Sequence, residues 1–144
     1  MVFKAETRYK QFLKSKDSLR IFEGTTLIFS SQKERLVPLM EFIEKRNPNS
    51  SDLIVFDRVI GNAAALLLSK IPCQEVYSPL GSEMAVVTLN NAGIEYHFDQ
   101  KVDCIKDDSG ENMCPMEKLS QGKTSEEFYA AMKERINGSK KGMQ

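Results

Sequence analysis

Apolar positions along the chain fall into short blocks whose spacing changes from one block to the next. From Phe3 to Ser15, Phe3, Thr7, Tyr9, Phe12 and Leu13 recur at roughly helical spacing among lysines. That pattern predicts an amphipathic surface helix. Leu19 to Glu23 and Thr26 to Ser30 are β-rich runs divided by Gly24-Thr25. Glycine first in a two-residue loop suits a type II′ turn, so these runs predict an antiparallel hairpin. Val37 to Arg46 reads as a helix with Pro38 in its first turn and Leu39, Met40, Phe42 and Ile43 as the buried stripe. Asn47-Pro48-Asn49-Ser50-Ser51 breaks it.

The next blocks alternate between strand and helix. Leu53 to Phe56 reads as a buried strand, and Val59 to Lys70 as a helix that is apolar nearly all round. Such a helix needs cover on several sides. A short strand follows at Val76-Tyr77, then a helix from Ser82 to Asn91 closed by Gly93, then a strand from Ile94 to Phe98. Two strand–helix–strand units in a row predict a parallel sheet with right-handed crossovers. Asp107-Asp108-Ser109-Gly110 is a turn, and Met113 to Glu117 a short irregular or helix-initiating segment. Thr124-Ser125-Glu126-Glu127 begins a last helix, with Phe128, Ala131, Met132 and Arg135-Ile136 inside, ending at Gly138.

Composition sets bounds on this α/β pattern. With 144 residues and 41% hydrophobic content, the chain suits one domain, expected over residues 1–138 with a disordered tail at 139–144. Twenty basic residues balance twenty acidic ones, so no broad nucleic-acid footprint is expected. The apolar runs are too short for a bilayer span, and Met1 to Glu6 lacks the basic-then-apolar order of a secretory signal. Cys73, Cys104 and Cys114 are odd in number and without repeated spacing, which fits reduced thiols in a cytoplasm.

The candidate chemistry sits where strands meet helices, since α/β proteins bind ligands at the carboxyl ends of their strands. At the first junction Asp57 is a candidate helix cap or ligand contact. Arg58, in the expected first helical turn, would oppose the helix dipole unless a carboxylate or a bound anion offset it. Gly61 costs about 1 kcal/mol against alanine in a helix and so implies a close approach. Asn62 is a lone polar residue in an apolar helix. At the second junction Ser78 and Ser82 flank Pro79-Leu80-Gly81, with Ser82 and Glu83 also readable as a plain helix cap. Two helix starts side by side would suit an anion. Cys114 is either a buried small hydrophobe or a nucleophile, and Glu117 lies three residues on. His97, the only histidine, shares a strand face with Glu95 and Asp99 and should face solvent. One histidine and three scattered cysteines form no zinc spacing, and Cys114 with Glu117 would be only two ligands. No metal and no cofactor is therefore expected. No phosphate loop, GxGxxG or GxSxG motif occurs.

Asp57-Arg58-Val59-Ile60-Gly61-Asn62-Ala63-Ala64-Ala65, Gly93-Ile94-Glu95-Tyr96 and Met113-Cys114-Pro115-Met116-Glu117 together resemble an uncharacterised prokaryotic family of unknown function. Its pattern runs Asp, a basic residue, two branched aliphatics, Gly, any residue and three alanines, with Met-Cys-Pro-Met-Glu downstream. The resemblance covers about Leu19 to Ile136. It implies a cytidine deaminase-like fold, a three-layer α/β/α sandwich around a mixed five-stranded sheet with one antiparallel strand from the first hairpin. Zinc deaminases carry H-x-E or C-x-E at one helix start and P-C-x-x-C at the next. Here those starts hold neither histidine nor cysteine, so the resemblance does not bring a zinc deaminase with it.

Three functions compete. The first is a zinc-free protein binding a nucleotide-like or other anionic small molecule at the paired helix starts, through Asp57, Arg58, Gly61, Asn62, Ser78, Ser82, Cys114 and Glu117. The second is a metal-independent enzyme using Asp57 as acid or base and Cys114 as nucleophile. The third is an interaction module, or homo-oligomer, built on the apolar Val59–Leu68 helix.

Overall fold

A computed structural model describes residues 4–45 and 49–142, with side chains described to residue 138. Phe3, Arg46, Asn47 and Pro48, and residues 143–144 of the expected tail, lie outside the described residues. The first helix, α1 (Ala5–Lys14), leads into the hairpin β1 (Leu19–Glu23) and β2 (Thr26–Ser31), and then into α2 (Val37–Lys45). Gly24 turns the hairpin with φ +60°, a conformation that disfavours any side chain. After β3 (Leu53–Asp57) come a two-residue strand, β4 (Val59–Ile60), and the helix α3 (Asn62–Leu68). The chain continues through β5 (Cys73–Ser82), α4 (Glu83–Ala92), β6 (Glu95–Val102), α5 (Pro115–Ser120) and α6 (Ser125–Gly142).

The six strands form one mixed sheet. β1 is antiparallel to both β2 and β3, while β3, β4 and β6 all run parallel to β5. β6 follows one edge of β5 from Glu75 to Ser82, so β3 and β4 share the other edge. Phe56 pairs with Tyr77 and Val59 with Leu80, at the same offset, so β4 continues β3 without a slip. The residue opposite the Arg58 gap is therefore Pro79, which has no N–H to give to a ladder. The expected five-stranded sheet is thus six-stranded, and the sixth strand is this short continuation.

Helices pack on both sheet faces, while β2 and β6 remain largely exposed. On one side α1 packs Tyr9 and Phe12 against Phe22, Ile54 and Phe56. On the other, Leu19, Ile21, Leu53, Val55 and Val76 meet the buried stripes of α2, α3, α4 and α6. All seven residues of α3 are buried, under α2, α4, α5 and α6. The cover that its composition demanded comes from its own chain, so α3 offers no apolar face for self-association. Among the described residues no helix is long and apolar enough to cross a membrane.

Several boundaries depart from expectation, and β6 runs on past Phe98 to Val102. Val59-Ile60 is strand, not the first turn of a helix. β5 runs on through Ser78-Pro79-Leu80-Gly81 to Ser82, where a loop was expected. There Gly81 is required, because a Cβ would lie 2.2 Å from the Phe98 ring. Finally, α6 does not stop at Gly138 but continues to Gly142.

Candidate functional site

A cavity of about 530 Å³ opens at the carboxyl end of β3–β4. Its floor includes Asp57, Val59, Gly61, Ala63 and Ala64, its wall Ile105, Cys114, Met116 and Glu117, and its mouth Arg35, Lys106 and Asp108. Of the eight expected site residues, Asp57, Arg58, Gly61, Cys114 and Glu117 come together here, while Asn62, Ser78 and Ser82 do not line it.

Asp57 ends β3 and is half-buried. It is not a helix cap. One carboxylate oxygen accepts the backbone N–H of Arg58 at 2.7 Å. Burial pushes its carboxyl up to about 7, against the backbone N–H groups of Arg58 and Val59 and the Arg58 charge, which all favour ionisation.

Arg58 is not in a first helical turn, so it does not oppose the α3 dipole. It turns to the opposite side of the sheet and closes the carboxyl end of α1. Its Nε donates to the Asp17 carbonyl at 3.0 Å, and Nη2 donates to those of Phe12 and Ser15 at 3.0 and 2.8 Å. The guanidinium also lies 4.5 Å from the centre of the Phe12 ring. A cation at a helix carboxyl end is favourable, and these bonds occupy the fork that a bound anion would need.

The start of α3 carries an anion already, and it is Glu117. This carboxylate, 1% exposed, accepts the Asn62 N–H at 2.6 Å through Oε1 and the Ile105 N–H at 2.8 Å through Oε2. Gly61 makes room for it: a Cβ there would sit 2.7 Å from Oε1. Asn62 extends the network, donating to the Ser120 hydroxyl at 3.0 Å and accepting from the Thr88 hydroxyl. Ser120 in turn donates to the Glu117 carbonyl at 2.7 Å. These buried polar groups therefore satisfy one another and lock α3, α4 and α5 together. Ser82 is the N-cap of α4, accepting the Ala85 N–H at 3.1 Å, and Gly93 closes that helix at φ +73°. The Ser78 hydroxyl donates to the Leu80 carbonyl at 2.9 Å. Both serines are thus structural.

Cys114 is half-buried in the N-cap position of α5, where its side chain makes no capping bond, and Pro115 takes the first helical position. Residues that sequence alone did not flag are Arg35 and Lys106. Arg35 is a non-glycine residue at φ +59° and pairs with Asp108 at 3.6 Å. Lys106 is bridged antiparallel to Met113. Both belong to irregular segments, where side-chain periodicity carries no signal.

The fold and its cavity define a mixed α/β protein with a small-molecule-sized pocket at the ends of parallel strands. The chain belongs to the TM1506 family, a domain of unknown function (DUF1893), whose model matches residues 8–136. It is similar to the crystal structure of a DUF1893 family protein (TM1506) from Thermotoga maritima, with 28% identity and a TM-score of 0.82. That likeness covers 91% of this chain and 88% of the other. Comparison with curated proteins gives no match.

Proposed function

We propose that the protein binds a small polar molecule of nucleotide-like size in the Asp57 cavity, without zinc, on a three-layer sandwich of the cytidine deaminase type. The cavity carries the reading: about 530 Å³ is within the range of pockets that hold small ligands, and it has a titrating carboxyl on its floor. A carboxyl near neutrality accepts a hydrogen bond when ionised and donates one when protonated. That suits a ligand edge carrying both N–H and C=O groups, as a nucleobase does. Lys106 at the mouth offers a cation to an anionic group at the ligand's other end, while Arg35 is paired with Asp108. The seat is not the paired helix starts, because Glu117 and Ser82 already occupy those.

Helices on both sheet faces, and β1 as the strand antiparallel to its neighbours, support the deaminase-type reading of the fold. The zinc chemistry of such folds has no ligands at these helix starts, which read Gly61-Asn62 and Ser82-Glu83.

A thermal-shift series with nucleosides, nucleotides and sugar phosphates tests the proposal on wild type and Asp57→Asn. A true ligand at about 100 times its Kd adds about 2.7 kcal/mol, a rise of roughly 5–10 °C for a chain this long. The rise should be at least halved in Asp57→Asn. No stabilisation by any compound, or equal stabilisation of both proteins, defeats the reading.

A further inference from the structure

The sheet face that carries α1 has a second polar cluster, remote from the Asp57 cavity in both residues and elements. Glu75 on β5 and Glu95 on β6 are directly opposed in the parallel ladder. Like charges in that relation repel unless something positive lies between them. Among the described residues neither glutamate pairs with a lysine or arginine; the cation-forming partner of both is His97. His97 stands two residues beyond Glu95 on the same face and stacks on Tyr77, with ring centres 4.3 Å apart and planes 16° from parallel. Stacking holds the imidazole so that Nε2 lies 3.2 Å from a Glu75 oxygen and 3.5 Å from a Glu95 oxygen.

These lengths have a meaning beyond an ion pair. Zinc takes imidazole nitrogen and carboxylate oxygen at roughly 2.0–2.2 Å, which puts neighbouring ligand atoms of a tetrahedron about 3.3 Å apart. Two edges of such a tetrahedron are present, and all three ligand atoms lie within 4.8 Å of one another. We propose that Glu75, Glu95 and His97 form a binding site for a divalent transition-metal ion, with zinc the best match to one imidazole and two carboxylates. The metal supplies positive charge between the two opposed carboxylates. With three protein ligands, one position stays open to water. A groove of about 330 Å³ between α1 and β5–β6 is lined in part by Tyr77 and His97.

The chain has a single histidine, so its imidazole signals report this site alone in an untagged protein. Titration of ¹⁵N-labelled protein with zinc chloride, with magnesium chloride as control, should shift the His97 Nε2 resonance and saturate at one equivalent of zinc. By calorimetry, His97→Ala and Glu75→Gln should each weaken zinc binding by more than the roughly 10–100-fold that loss of an outer-shell partner costs. His97 is exposed and Glu75 half-buried, and the wild-type titration stands whether or not the variants fold. A His97 imidazole unmoved by zinc at about 1 mM, or calorimetric affinity unchanged in both variants, overturns the site.

Discussion

Gly61 is the N-cap of α3, in extended backbone outside the helix, and its missing side chain lets a carboxylate reach the backbone. In Gly61→Ala the new Cβ would meet Oε1 of Glu117 at 2.7 Å and Cγ1 of Ile105 at 3.0 Å. Glu117 is buried and held by two backbone N–H groups, so the variant should lose about 1–3 kcal/mol in urea denaturation, and alanine is also a poorer N-cap than glycine. Glu117→Ala should cost about 2–4 kcal/mol, since it strands the buried N–H groups of Asn62 and Ile105. The double variant should fall short of the sum, because alanine fits at 61 once the carboxylate is gone. Strict additivity would mean that the two residues do not act on each other. The sequence marks Gly61 and Glu117 as unusual, each in its own motif. Their pairing was not legible, because it depends on a side chain reaching across from a distant segment, and local periodicity carries no trace of that.

At the level of elements, Arg58 ties α1 to the sheet. It bonds carbonyls from Phe12 to Asp17 and lies over the Phe12 ring. Arg58→Ala should cost about 1–3 kcal/mol, and hydrogen exchange should rise chiefly over residues 5–18. Arg58→Lys should recover less than half, since an ammonium lacks the planar fork. A uniform rise over all helices would refute the local tie. The hairpin, the two parallel crossovers and α4 between Ser82 and Gly93 are readable from pattern, because each has its own cap or turn residue. β4 was not, since a short apolar run fits strand and helix equally. Nor was the far half of β5. Pro79 and Gly81 carry the composition of a turn, yet in the sheet one faces the Arg58 gap and the other makes space for Phe98.

For the molecule as a whole, Asp57 sets a pH dependence of stability. The folded carboxyl holds its proton up to about 7, whereas an ordinary aspartate releases it near 3.8. Between those values Asp57 binds more proton in the folded state than in the unfolded one, so its own contribution to stability is greatest below about pH 4, falls as pH rises, and levels off above about pH 7. Glu41, Glu44, Asp107 and Glu127 have lowered pKa values and act in the opposite sense, through hydrogen bonds from Lys33, Tyr129, Ser109 and the Thr124 backbone respectively. Comparing urea midpoints of wild type and Asp57→Asn cancels that background. The variant should gain on wild type as pH rises from about 4.5 to 7.5; a constant difference would place the Asp57 carboxyl in the ordinary range. The fit of Glu117 over Gly61 also reaches beyond this one molecule. It makes two remote stretches of the chain a single unit of inheritance: a descendant can gain a side chain at the first position only after shortening the second, so the two positions should change together across lineages.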